Sequence, residues 1–304
     1  MNKQHYIIPI FVPHKGCPHD CIFCNQKKIT GQLGEVTAEE VREKIEEYLR
    51  TIPEEGSHIE VAFYGGSFTA IPLDYQRSLL EAAFGYYEKG RLESIRVSTR
   101  PDCIDREIGE NLRRYGVRTV ELGVQSMDDK VLELCNRGHT SQDVVEAVRL
   151  LKEYGFAVGV QMMIGLPGDS EEKALRTARE LVRLKPDIAR IYPALVIRNT
   201  YMEELYLKGE FNPLTVEEAA EISKKLLIIF EGSEINVIRI GLQPTENIMT
   251  GRDVAAGPFH PSMRQLVEAL VYRDIMELLI GSLGGNGKEI SIRVNPGNLS
   301  EVIG

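Results

Sequence analysis

Between residues 6 and 193, apolar β-rich runs alternate with amphipathic helical stretches, and this rhythm limits the fold more than any other feature of the chain. Strands are predicted near 6–12, 58–63, 94–98, 118–122, 157–162 and 187–193, with helices near 37–50, 74–88, 105–115, 141–154 and 170–184. A strand and a helix recur about every 30 residues, which argues for parallel strands joined by helical crossovers. Thr37 precedes Glu39 and Glu40 as an N-cap, and Gly116 and Gly155 stand where helices should end. Pattern alone fits an open doubly wound sheet or a barrel. After Asn199 the rhythm changes to a helix near 215–231, a strand over Glu234–Ile240, turns over 241–262, a helix over 263–281 and a strand over Ile290–Val294. The expected division is a core at 1–235 and a small α+β extension at 236–304, read as an appendage or a truncated accessory region.

Composition narrows the classes open to this chain. Hydrophobic residues are 43% and charged residues 27%, with no run near the ~18 apolar residues of a spanning helix, so no membrane association is expected. Met1–His5 leads straight into a strand and lacks the apolar stretch of a signal peptide. Five cysteines, three of them clustered, do not make a disulfide framework, and a reduced cytoplasmic setting fits them best. The net charge of −9 argues against blanket attraction to nucleic acid and leaves only a local basic patch.

The clustered cysteines are Cys17, Cys21 and Cys24. Iron–sulfur cubes usually take four protein thiolates, so a cube held by three would keep one iron open to another ligand. An open position separates catalytic metal sites from closed structural ones. The alternative is zinc, closed by His14 or His19. Zinc knuckles, however, pair their cysteines and draw a second pair from a distant segment, which this sequence lacks.

A C-x3-C-x2-C run after an apolar strand, with Phe23 before its last cysteine, resembles the signature of the radical S-adenosylmethionine superfamily. Val61–Ser67 resembles that family's Gly-Gly turn. The segments 98–102, 121–126, 136–140 and 192–200 follow in order and are similar to the radical core of the Elongator catalytic subunit, over about residues 6–245. The resemblance implies a partial (β/α)6 TIM-type barrel. It also implies a 4Fe–4S cluster on Cys17, Cys21 and Cys24, and S-adenosyl-L-methionine as cosubstrate. A low-potential donor of the flavodoxin or ferredoxin type would reduce the cluster, and a 5′-deoxyadenosyl radical would abstract hydrogen from substrate.

The resemblance further places the carbonyls of Gly65 and Gly66 on the methionine amine, and Gln125 and Arg137 on the cosubstrate. Glycine lets backbone approach a ligand unobstructed, and a guanidinium fork suits a carboxylate. The plain alternative for Arg137 is a surface ion pair with Glu133. Ser98 and Gln161 lie where family members reach the ribose, and Tyr192 would edge the adenine pocket. Residues 164–168 form a turn that could meet adenine, with Asp169 or Ser170 capping the next helix. His14, Lys15 and His19 are candidate donors toward sulfide, whereas Lys27 and Lys28 read as surface charge. Cys103 and Cys135 read as small buried hydrophobes, too few for a second three-cysteine cluster.

RNA, as tRNA or rRNA, is the expected substrate, because segments 100–102, 136–140 and 192–198 resemble the RNA-acting branch. Arg198, Lys224, Lys225, Arg239, Arg252 and Arg264 are the cations from which a binding surface would be built. The chain reads as too short for the acetyltransferase domain usual in Elongator. A small metabolite or tetrapyrrole is the second enzymatic reading, and a non-catalytic cluster carrier the third. No individual residue is singled out as a catalytic acid or base.

Overall fold

The computed structural model describes residues 4–12, 19–25, 34–53, 55–243, 246–282 and 293–303. Nine strands and eleven helices are described, in the order β1 (Gln4–Val12), α1 (Ala38–Leu49), β2 (Ser57–Gly65), α2 (Leu73–Glu88), β3 (Ser94–Thr99), α3 (Arg106–Arg114), β4 (Val117–Gln125), α4 (Asp129–Leu134), α5 (Ser141–Glu153), β5 (Ala157–Ile164), α6 (Glu171–Arg183), β6 (Ile188–Pro193), β7 (Val196–Ile197), α7 (Tyr201–Leu207), α8 (Val216–Glu231), β8 (Asn236–Ile240), α9 (Glu246–Met249), β9 (Val254–Ala256), α10 (Met263–Ser282) and α11 (Leu299–Ile303).

Seven strands form one sheet in the order β1-β2-β3-β4-β5-β6-β8, and every pairing is parallel. The expectation of six strand–helix units is thus exceeded by one strand. The expected division at 235/236 falls just before β8, which continues the sheet beside β6. The sheet is open, with β1 and β8 at its edges. It is also curled: Arg190 on β6 lies over the Tyr64 ring on β2, 6.0 Å from its centroid, although three strands separate theirs in the sheet order. Strands β7 and β9 form a separate antiparallel ribbon that periodicity did not reveal.

The helices begin where their side chains can satisfy free N–H groups. Thr37, Thr140 and Thr215 each form a reciprocal capping box, with Glu40, Asp143 and Glu218. Such caps each contribute about 1 kcal/mol. Gly116 and Gly155 follow α3 and α5 with φ of +70° and +79°, values that favour glycine at a helix exit. Between helices and sheet lies a continuous apolar core including Ile8, Val61, Val97, Leu122, Val160 and Ile191, all buried. The opposite face of the same strands, on the inside of the curl, carries charge. No helix among the described residues is long and apolar enough to cross a membrane. The strand expected over Ile290–Val294 falls mostly outside the described residues.

Candidate active site

Two segments brace the described part of the cysteine loop, residues 19–25. Ile22 N–H donates to the Cys135 carbonyl at 3.1 Å, and Asn136 Nδ2 donates to the Asp20 carbonyl at 2.9 Å. From the other side, Met202 N–H donates to the Ile22 carbonyl at 2.9 Å and Asn25 Nδ2 donates to the Arg198 carbonyl at 3.2 Å. Ile22 is buried with Val131, Cys135, Leu166, Val196 and Met202, and Phe23 packs against this group. Gly138, at φ +81°, lets the His19 ring approach: a Cβ there would sit 2.3 Å from the imidazole. Cys21 is buried and Cys24 half-buried. Cys17 lies outside the described residues, as do His14, Lys15, Lys27 and Lys28.

Arg137 joins this loop to the sheet. Its guanidinium is buried, and it donates from Nη2 to the Gly123 carbonyl at 2.6 Å and from Nη1 to Cys21 Sγ at 3.5 Å. It therefore does not lie on the helix surface beside Glu133. Gly123 makes the approach possible, since a Cβ there would stand 2.8 Å from Arg137 Nη2 and 3.1 Å from Gln125 Nε2. Gln125 closes β4 at φ +68°, beyond a register shift that turns its side chain toward the same space. Arg100 supports Arg137 from behind. It is 2% exposed, pairs with Asp102 at 2.9 Å and donates to the Arg137 carbonyl at 2.5 Å. Ser67 and Thr69 both meet the Thr99 hydroxyl, at 2.8 and 2.6 Å, and tie the ends of β2 and β3 together.

Gly65 ends β2 at φ +117°, where a Cβ would lie 2.2 Å from the Val12 carbonyl oxygen, so only glycine fits against β1. Gly66 N–H donates to that same oxygen at 3.3 Å, which leaves the Gly66 side of the turn as bare backbone. Ser98 Oγ, Gln125 Oε1 and Arg137 Nε are buried without a hydrogen-bond partner among the described residues. Buried polar groups are nearly always paired, so this set is suited to a polar ligand. All three belong to residues that the sequence singled out for S-adenosyl-L-methionine. The rim thus brings an arginine, an amide, a hydroxyl and peptide groups beside two cysteines.

Gln161 and Tyr192 face a different environment. Gln161 Nε2 donates to Glu121 at 3.2 Å, and the Tyr192 hydroxyl accepts from Arg190 Nη1 at 3.5 Å. Both join an ion belt across the inside of the curl. Arg96 bridges Glu60 and Glu121, at 2.7 Å to each, and Arg190 grips Glu121 with two bonds of 2.6 and 3.0 Å. Burial raises the Glu121 carboxyl, but Arg190 and Arg96 outweigh it and hold the group below the usual carboxylate range. Gly159 on the intervening strand makes room, because a Cβ there would meet Glu121 at 2.8 Å. Sequence reading missed this belt. Its one local signal was an isolated glycine within an apolar strand.

The turn at 164–168 is held by Asp169, whose carboxylate accepts from Gly165 N–H at 2.9 Å, and Ser170 is the residue that caps α6. Burial lifts Asp169 to about 6. His139 accepts or donates through Nε2 at the Val124 carbonyl, and burial beside Arg137 and Arg100 lowers it to about 3, so it is neutral. Burial also pushes the Cys135 thiol up to about 12, in keeping with a packed side chain. Four of the six cations proposed for RNA binding are engaged in ion pairs. Arg198 pairs with Glu203, Lys224 with Glu221 and Asp274, Lys225 with Glu171, and Arg264 with Glu231 and Glu268.

An open parallel half-barrel, with a thiol loop at the carboxyl end of its strands and an unpaired polar set beside it, defines a cofactor-dependent α/β enzyme scaffold. The Radical SAM superfamily pattern matches residues 11–181, and a Radical_SAM C-terminal domain matches 186–273; the chain belongs to the Radical SAM superfamily. It is similar to a tRNA uridine(34) acetyltransferase of Methanocaldococcus infernus, at 31% identity over 71% of this chain and 48% of that protein. It is also similar to Elongator complex protein 3 of Homo sapiens, at 30% identity over 62% of this chain and 38% of that protein. The chain thus spans about half or less of the length of these relatives. Among solved structures, the archaeal Methanocaldococcus infernus Elp3 superposes with a TM-score of 0.70 at 24% identity, over 91% of this chain and 64% of that one. Coproporphyrinogen III oxidase of Escherichia coli superposes at 0.55 with 16% identity, over 76% and 53%. At such identities the superpositions show the shared half-barrel fold.

Proposed function

We propose that this chain is a radical S-adenosyl-L-methionine enzyme of the Elongator-like branch that modifies tRNA. The observation carrying this reading is Arg137, which reaches Cys21 Sγ at 3.5 Å while its Nε, Ser98 Oγ and Gln125 Oε1 stay unpaired. Cys17, Cys21 and Cys24 would hold a 4Fe–4S cluster. When bound, that cluster and S-adenosyl-L-methionine supply reductive cleavage of a sulfonium bond, with electrons from a flavodoxin- or ferredoxin-type donor. The residues of this chain bind and orient. Gly65 and Gly66 offer backbone to the amine, Arg137 its remaining donor to the carboxylate, and Ser98 and Gln125 their oxygens to the hydroxyl-rich part. The ion belt below leaves Gln161 and Tyr192 less free, so they act through Glu121 and Arg190 rather than as direct ligands. The apolar group around Ile22 and Met202 keeps water from the cysteine loop.

The tRNA assignment is supported by the names of the relatives, not by surface charge. Nucleosides from RNA of a deletion strain, compared with wild type by mass spectrometry, test it. A missing modified nucleoside, restored by the gene, is the expected result; an unchanged profile rejects RNA. In that event a small metabolite becomes the substrate, a reading favoured by the ion pairing of Arg198, Lys224, Lys225 and Arg264.

A further inference from the structure

The belt inside the half-barrel is unbalanced at one end. Its two carboxylates are fully engaged: Glu60 accepts from Ser94 and Arg96, and Glu121 from Arg96, Arg190 and Gln161. A third guanidinium, Arg239, stands beside them on β8, in register with Arg190 on β6. Register neighbours on parallel strands project to the same face, so Arg239 joins the belt from its edge. Among the described residues it has no carboxylate partner, and its nearest cationic neighbour in the sheet is itself paired with Glu121. Strand β8 is the last of the sheet, so Arg239 lies at the open side of the curl, half-buried.

The Tyr192 hydroxyl lies within the field of Arg239, accepts from Arg190 and keeps its own hydrogen free among the described residues. Arg190 is neutralised by Glu121, so among the described residues Arg239 is the guanidinium of the belt left without a carboxylate, and an anion at the open side would balance it. A guanidinium fork is matched to the oxygens of phosphate or carboxylate.

We propose that Arg239, with the Tyr192 hydroxyl, forms an anion-binding subsite at the open side of the half-barrel. It receives a phosphate group of the substrate. Calling that phosphate part of the substrate rests on the enzymatic reading above; the subsite itself does not. The subsite lies two residues below the Tyr192 end of β6, measured along the strand from Arg190, and so holds the substrate beneath the cosubstrate rim. The phosphate can belong to a polynucleotide backbone or to a small phosphorylated metabolite, since both present the same oxygens.

Pyrophosphate binding to this chain, measured by isothermal titration calorimetry, tests this without requiring turnover. Arg239→Gln should weaken it by about one to two decades, the loss of a charge-assisted pair. Arg149→Gln, on the exposed face of α5, should leave it unchanged, and Arg239→Lys should fall between. Should Arg239→Gln not fold, Tyr192→Phe replaces it, with a several-fold loss expected. Equal affinity of wild type and either variant, or no pyrophosphate binding by wild type, overturns the proposal. The source of the phosphate is read from tRNA binding. If Arg239→Gln weakens tRNA as well, the ligand is a backbone phosphate; if it weakens pyrophosphate alone, the ligand is a small metabolite. A chain that binds pyrophosphate through Arg239 yet forms no 5′-deoxyadenosine sinks the enzymatic reading and leaves the subsite standing.

Discussion

Glu121→Gln is the substitution that most sharply tests how the half-barrel is held open around charge. Glu121 is 1% exposed and accepts four hydrogen bonds, one from Arg96, two from Arg190 and one from Gln161. A glutamine of the same shape removes the negative charge and one acceptor. Arg190 then keeps no carboxylate partner, and Arg96 keeps only Glu60. Breaking a buried ion pair by deleting one partner costs about 3–5 kcal/mol, because the remaining charge stays desolvated. In a domain of this size each kcal/mol shifts Tm by roughly 2–4 °C, so a fall on the order of 10 °C is expected. Urea denaturation and thermal melts of wild type, Glu121→Gln, Arg190→Gln and the double variant complete a thermodynamic cycle. The double variant should be less destabilised than the two single losses added together, with a coupling of at least about 1 kcal/mol. A Glu121→Gln loss below about 1 kcal/mol, or strict additivity, would refute the buried belt as a coupled unit.

Three further outcomes are expected. Arg137→Ala should weaken S-adenosyl-L-methionine binding by about one to two decades while iron content holds, since a charge-assisted bond contributes roughly 1.5–3 kcal/mol; unchanged equilibrium dialysis would remove Arg137 from the site. Ala at Cys17, Cys21 or Cys24 should abolish iron incorporation on anaerobic reconstitution, and Ala at Cys103 or Cys135 should not, as read by iron assay and visible absorbance. Because Asp169 is raised to about 6, its contribution to stability is fully present below about pH 4 and is lost as pH rises through 6. The stability of wild type relative to Asp169→Asn should therefore fall by on the order of 2–3 kcal/mol between pH 4 and pH 7, and a pH-independent difference in melts would count against it.

Elements of regular period were legible in the sequence because each carries its own signal. Strand β5 alternates within 157–164 and ends at a glycine turn, and α5 opens on a threonine three residues before an aspartate. The seventh strand was visible as a strand but not as a member of the sheet, since pairing with β6 is a tertiary fact. The cysteine loop stood out through spacing alone. The segments around Arg100 and Asn136 stood out by resemblance to the RNA-acting branch, and the structure adds that they brace Arg137 and the cysteine loop, which no linear pattern could tell. The belt was invisible because its partners lie far apart: Arg96 is 25 residues from Glu121, and Arg190 is 69. In a linear reading each looks like an isolated strand charge. Gly159 was the available clue, a single glycine where Glu121 needs the space of a Cβ.

Formation of 5′-deoxyadenosine by anaerobically reconstituted, chemically reduced protein tests the central claim most directly. Wild type should release 5′-deoxyadenosine and methionine from S-adenosyl-L-methionine in equal amounts, detected by chromatography with mass spectrometry, and Cys21→Ala should release neither. A wild-type protein that carries four irons, binds S-adenosyl-L-methionine and yields no 5′-deoxyadenosine under strong reductant would contradict it.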